Sequence, residues 1–105
     1  MLRIYPACLQ MVRDVRPYAD RIERFDKDQA RQLRRSSTSV PLNVGEGSGG
    51  RGGRRRYSYD TALMEARETL TNLEAAEAIG YIRRIDPTLR GRLNHIIGTL
   101  VRILY

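Results

Sequence analysis

The passage from Ser39 to Arg56 constrains the fold more than any other part of this chain. It holds Gly45, Gly47, Gly49, Gly50, Gly52 and Gly53, six of the nine glycines, and ends in Arg51, Arg54, Arg55 and Arg56. Glycine loses more backbone entropy on ordering than any other residue, so the run from Gly45 to Gly53 predicts a flexible turn. On both sides of it, apolar residues recur at three- and four-residue steps, the pattern of amphipathic helices. The expectation is an all-α protein: two helical hairpins joined by a Gly/Arg-rich loop over 45–56.

Four segments carry the pattern. The first, about Pro6 to Phe25, places Cys8, Met11, Val12, Val15, Tyr18, Ala19, Ile22 and Phe25 on one stripe. Pro6 suits a first helical turn, and Pro17 predicts a kink. Asp26-Lys27-Asp28 offers an N-cap. The second segment then runs through Ala30, Leu33, Ser37, Val40 and Val44. Pro41 interrupts it, and the hydroxyls of Ser36 to Ser39 are expected to repair that break. The third segment, about Ser58 to Gly80, uses Tyr59, Ala62, Leu63, Ala66, Leu70, Leu73 and Ala76, with Gly80 as a C-terminal stop. The fourth opens on Asp86-Pro87 and continues with Leu89, Leu93, Ile96, Ile97, Leu100 and Leu104. Val101, Ile103 and Tyr105 exceed what one apolar face needs, which predicts a second buried contact and hence self-association, the alternative being a monomer with an apolar C-terminal turn.

At 105 residues the chain reads as one domain, able to bury roughly two-thirds of its unfolded surface. With no tryptophan and one phenylalanine, its core must be mostly aliphatic. Cys8 is the only cysteine, which excludes an internal disulfide or a multi-cysteine zinc site and suits a cytoplasmic location. Met1 to Val12 lacks the apolar core of a signal peptide. Leu89 to Tyr105 contains Arg90, Arg92 and Arg102 and falls short of the ~20 apolar residues of a membrane span, so a soluble protein is expected.

The net charge is +7, which favours anionic partners and nucleic acid above all, although GC-rich codons also enrich arginine. Arg51, Arg54, Arg55 and Arg56 form the densest cationic run, with no acid among them. Such a run can follow a phosphate backbone without reading bases. In contrast, the third segment sets Asp60, Glu65, Glu68, Glu74 and Glu77 against Arg67 alone. That acidic helix can pair with arginines of its own bundle or of a neighbouring subunit, or it can simply face solvent. Gly45-x-Gly47-x-x-Gly50 matches a dinucleotide fingerprint only formally, because no strand precedes it.

The segment Ser39-Val40-Pro41-x-Asn43-Val44-Gly45-Glu46-Gly47 resembles a Ser-Ile-Pro-x-Asn-Ile-Ala-Glu-Gly motif. That motif belongs to a family of small bacterial four-helix-bundle proteins. Its members are encoded by intervening sequences in 23S ribosomal RNA genes or act as accessory variability proteins of diversity-generating retroelements. The run Gln32-Leu33-Arg34-Arg35-Ser36 and the tract Leu63 to Glu74 resemble the same family. The resemblance implies an antiparallel up-down-up-down bundle assembled as a homopentamer, in some members with a basic surface that engages nucleic acid and a reverse transcriptase. The chain departs from the family's pattern at Gly45, Ala62, Glu68 and Asn72, where alanine, phenylalanine, glycine and glutamate are usual.

Nothing in the sequence has the layout of an active site. His95 is the only histidine, so a di-iron bundle lacks its ligands, and Cys8 sits on an apolar stripe. The reading is a non-enzymatic, basic, homo-oligomeric bundle without metal or cofactor. It binds RNA or DNA through Arg51, Arg54, Arg55 and Arg56 first, and through Arg31, Arg34 and Arg35 second. The rival reading is a homo-oligomeric scaffold that binds protein and ignores nucleic acid.

Overall fold

A computed structural model describes all residues from Met1 to Tyr105 as four helices and no strands. They are α1 (Tyr5–Glu23), α2 (Lys27–Gly49), α3 (Gly52–Ile79) and α4 (Pro87–Leu104). Short connections turn each helix back on the one before it. The helices pack in the cyclic order α1–α2–α3–α4–α1, giving an up-down-up-down bundle 42 Å long. None of them is long and apolar enough to cross a membrane.

The expected stripes form the core. Cys8, Met11, Val15, Ala19 and Ile22 of α1 are buried against Leu33, Val40 and Val44 of α2, Leu63, Ala66 and Leu73 of α3, and Leu89, Leu93, Ile96 and Leu100 of α4. Phe25 departs from its stripe: it lies beyond the end of α1 and is 62% exposed. The caps are where the sequence placed them. Asp26 accepts a hydrogen bond from the Gln29 amide at 3.0 Å, and Asp86 accepts one from Thr88 at 2.7 Å. Gly80 ends α3 at φ +91, a left-handed conformation that favours glycine.

Two local expectations are corrected. The loop over 45–56 is not a loop: only Gly50 and Arg51 separate α2 from α3. Packing rather than propensity decides this. Gly47 is buried directly against the Tyr59 ring, where a Cβ would collide with the ring. The missing side chain thus allows α2 and α3 to approach closely and extends both helices. The serine cluster also does different work. Ser36, Ser37 and Thr38 donate to the carbonyls of Leu33, Arg34 and Arg35, not to that of Ser37, which Pro41 leaves without its helical donor. Ser36 also shares a hydrogen bond of 2.9 Å with Thr69 inside the core.

Candidate nucleic-acid interface

The tight turn converts the arginine run into the first turns of a helix. Gly50 and Arg51 are extended, Gly52 takes φ +56, and α3 begins there with no side-chain cap and no acid in its first turn. Unpaired amide groups give a helix N-terminus a partial positive charge, and each cation added there costs about 0.3–1 kcal/mol at low salt. Arg54 and Arg55 therefore stand where the α3 backbone disfavours them, and both are exposed, as is Arg56. A phosphate at this end relieves that conflict.

What these side chains touch differs from one to the next. Arg51 and Arg54 make no side-chain hydrogen bond and no ion pair. Arg55 lies over the Tyr59 ring, 5.3 Å from its centroid. Arg56 donates from Nη1 to the Leu104 carbonyl at 2.9 Å and lies 5.6 Å from the Tyr105 ring centroid. A cation is well placed at the negative end of α4, so Arg56 ties α3 to α4 as well as adding charge. Glu46 and Asp60 are the nearest acids in sequence, and neither pairs with an arginine. Arg3 and Arg102 lie at the same end of the bundle and have no carboxylate partner either. The Oγ of Ser48 lies 3.5 Å from the sulfur of Met1, which brings the start of the chain to this end.

The second arginine group is arranged otherwise. Arg31 pairs with Asp28 on its own helix. Arg34 bridges to α1, where it meets Asp20 at 2.9 Å and also Glu23. Arg35 bridges to α3, with Glu65 at 2.8 Å and Glu68 at 2.9 Å. Hydrogen bonds donated to Glu23 and Asp20 hold the Arg34 guanidinium more firmly protonated than usual, and those donated to Glu68, with the Glu65 charge, do the same for Arg35. Burial pushes the Glu65 carboxyl up, a hydrogen bond with Glu68 adds to this, and the Arg35 charge opposes it. The acidic helix thus pairs within its own bundle, with Arg90 to Glu74 at 3.0 Å as a further link.

Two departures from the resembled family's pattern help to hold α2 to α3. One is Glu68. The other is Asn72, which exchanges hydrogen bonds with Gln29 at 3.1 Å and 3.2 Å. Sequence reasoning did not find these pairs, because they depend on the register between helices.

The remaining candidates are placed as follows. Val101 is half-buried against the core, while Ile103 and Tyr105 are exposed, Tyr105 to 80%. Cys8 is fully buried, and burial pushes its thiol up to about 11. His95 is exposed. No group of three or more His, Cys, Asp or Glu residues is placed to hold a metal ion.

No curated protein and no solved structure matches the chain. A family model, described as 23S rRNA-intervening sequence protein, matches residues 2–102. With its four helices and the motif at Ser39 to Gly47 inside that span, the chain belongs to the 23S rRNA-intervening sequence protein family.

Proposed function

We propose that this protein is a non-enzymatic, homo-oligomeric bundle that binds nucleic acid, RNA in the first place, through arginine–phosphate contacts of low sequence specificity. One observation carries the reading. Arg51, Arg54, Arg55 and Arg56 gather at a helix N-terminus that has no acid in its first turn, and none of them forms an ion pair. Phosphate contacts position a nucleic acid without reading its sequence, and no side chain at this end is arranged for base readout. Arg31, Arg34 and Arg35 contribute less, since a phosphate there must displace the protein's own carboxylates. The family's link to ribosomal RNA genes favours RNA as the partner. Service as an accessory to a reverse transcriptase belongs to the same reading, because such a subunit would hold template or product by its backbone.

Self-association, as a pentamer on the family resemblance, uses the apolar end of α4: the half-buried Val101 and the exposed Ile103 and Tyr105. Light scattering tests it, and a monomer at all concentrations removes it.

Mobility shifts across a salt series test the binding itself. Four phosphate contacts predict a log–log slope of about −3.6 on duplex DNA and about −2.8 on a single strand. Absence of binding at low salt would overturn the reading and leave the protein-binding scaffold in its place.

A further inference from the structure

The opposite end of the bundle carries a different arrangement. Phe25, just past α1, and Tyr81, just past the Gly80 stop of α3, stack in parallel, with ring centroids 5.0 Å apart and planes within 5°. Tyr81 covers one face of Phe25, yet Phe25 remains 62% exposed. Its other face therefore looks into solvent. The stack is fixed from both sides. Tyr18 of α1 accepts a hydrogen bond from the Asp86 amide at 2.9 Å, and its hydroxyl lies 3.4 Å from the Arg84 carbonyl. These contacts tie α1 to the connection that carries Tyr81.

Within four residues of Phe25 or Tyr81 the chain carries Arg21, Arg24, Arg83 and Arg84, all exposed and none in an ion pair; Arg21 lies 5.9 Å from the Tyr18 ring centroid. Carboxylates occur here, but each is engaged. Asp26 caps α2, Asp86 caps α4, Glu77 accepts from the Ile85 amide at 2.8 Å, and Asp20 and Glu23 hold Arg34. The result is a preformed aromatic face flanked by guanidinium groups that form no ion pair, although Glu77 lines a groove with Arg83 and Arg84, and Asp86 lines one with Arg21.

We infer that Phe25, backed by Tyr81, is a stacking platform for an unpaired base of single-stranded nucleic acid, with Arg21, Arg24, Arg83 and Arg84 holding the flanking phosphates. Bases stack on aromatic rings whatever their identity, and free guanidinium groups follow the backbone. A duplex presents no free base face to such a platform. Four guanidinium groups outside any ion pair favour a polyanion, and the flat, exposed ring favours one with exposed planar groups. The inference rests on the nucleic-acid reading above only in taking a nucleic acid as the partner, since it uses a separate set of residues at the other end.

The protein has no tryptophan, so Phe25→Trp creates a single local reporter that keeps the platform aromatic. Oligouridylate should quench its emission saturably, whereas duplex RNA of equal length and inorganic tripolyphosphate should leave it nearly unchanged. Phe25→Ala should weaken single-strand affinity about ten-fold or more and leave duplex affinity alone. Phe25→Tyr should retain single-strand affinity. Because Phe25 is largely exposed, these variants should fold as the parent does, which circular dichroism checks.

Mobility shifts that persist without quenching, or with equal quenching by duplex, would overturn this inference and leave the arginine end of α3 standing. Emission that responds to oligoglutamate but not to oligouridylate would also overturn it, in favour of a protein partner. No binding of any nucleic acid would overturn both.

Discussion

Two arginine groups that look alike in the sequence behave differently in the fold. Arg31, Arg34 and Arg35 on α2 face Asp28, Asp20, Glu23, Glu65 and Glu68. Arg51, Arg54, Arg55 and Arg56 at the start of α3 face two tyrosine rings, a carbonyl and solvent. The first group fastens neighbouring helices together. The second adds positive charge where the α3 backbone is already positive, which weakens the fold slightly and favours an anion. Local charge density therefore does not identify a binding surface. The decisive question is whether carboxylates from adjacent helices arrive in register.

The largest expected effect is on nucleic-acid affinity. Arg51→Ala, Arg54→Ala and Arg55→Ala combined should remove about three phosphate contacts and reduce the salt slope by about 3 on duplex DNA. At low salt this should lower affinity by one to several orders of magnitude, evenly across sequences. The matching triple substitution of Arg31, Arg34 and Arg35 should cost far less affinity. Equal losses in mobility shifts would erase the distinction between the two groups.

Stability should respond in the opposite sense. Gly47→Ala places a methyl group against the buried Tyr59 ring, and overpacking of this kind typically costs about 1–3 kcal/mol. That exceeds the gain of roughly 1 kcal/mol from replacing a helical glycine. Urea denaturation should show the net loss. A stabilised variant would mean that the close approach of α2 and α3 does not depend on glycine.

Arg35→Ala should destabilise by up to about 1 kcal/mol, because its pairs are largely exposed and screened by water. Arg54→Ala should be neutral or slightly stabilising at low salt, by about 0.3–1 kcal/mol, and the difference should fade as salt rises. Thermal melts at two salt concentrations measure both. Loss of stability in Arg54→Ala would show that this side chain has a structural partner after all.

The bundle itself was legible because burial follows the helical period. Leu63, Ala66 and Leu73 had to share a face wherever α3 was docked, and Asp26, Gly80 and Asp86 announced the helix ends through local chemistry. The Gly/Arg segment reads as a loop because glycine propensity is a local quantity. What extends α2 through Gly47 is Tyr59, twelve residues later and on another helix. For the same reason the arginine groups could not be sorted in advance. Arg35 meets its carboxylates 30 and 33 residues away, and Arg34 meets its own 11 and 14 residues back. Spacing puts Phe25 on the core stripe, but α1 ends before it and leaves it to stack on Tyr81.

The smallest effect tests the register most directly. The Glu65 carboxyl is raised by burial and by Glu68, and lowered by the charge of Arg35. A carboxyl whose folded pKa lies above its unfolded value binds protons more readily when folded. Its contribution therefore opposes folding above the folded pKa and is relieved as pH falls through that value towards the ordinary 4.5. Arg35→Ala removes the one charge that restrains the shift. Glu65 should then titrate at higher pH, and stability should rise more steeply on mild acidification than in the parent. Carbon-detected NMR titration of the Glu65 carboxyl measures the first effect, and denaturation midpoints between neutral pH and about 4.5 measure the second. Arg54→Ala should leave the Glu65 titration where it is. A Glu65 carboxyl that moves equally in both variants would mean that α2 and α3 are not in the register that separates the two arginine groups.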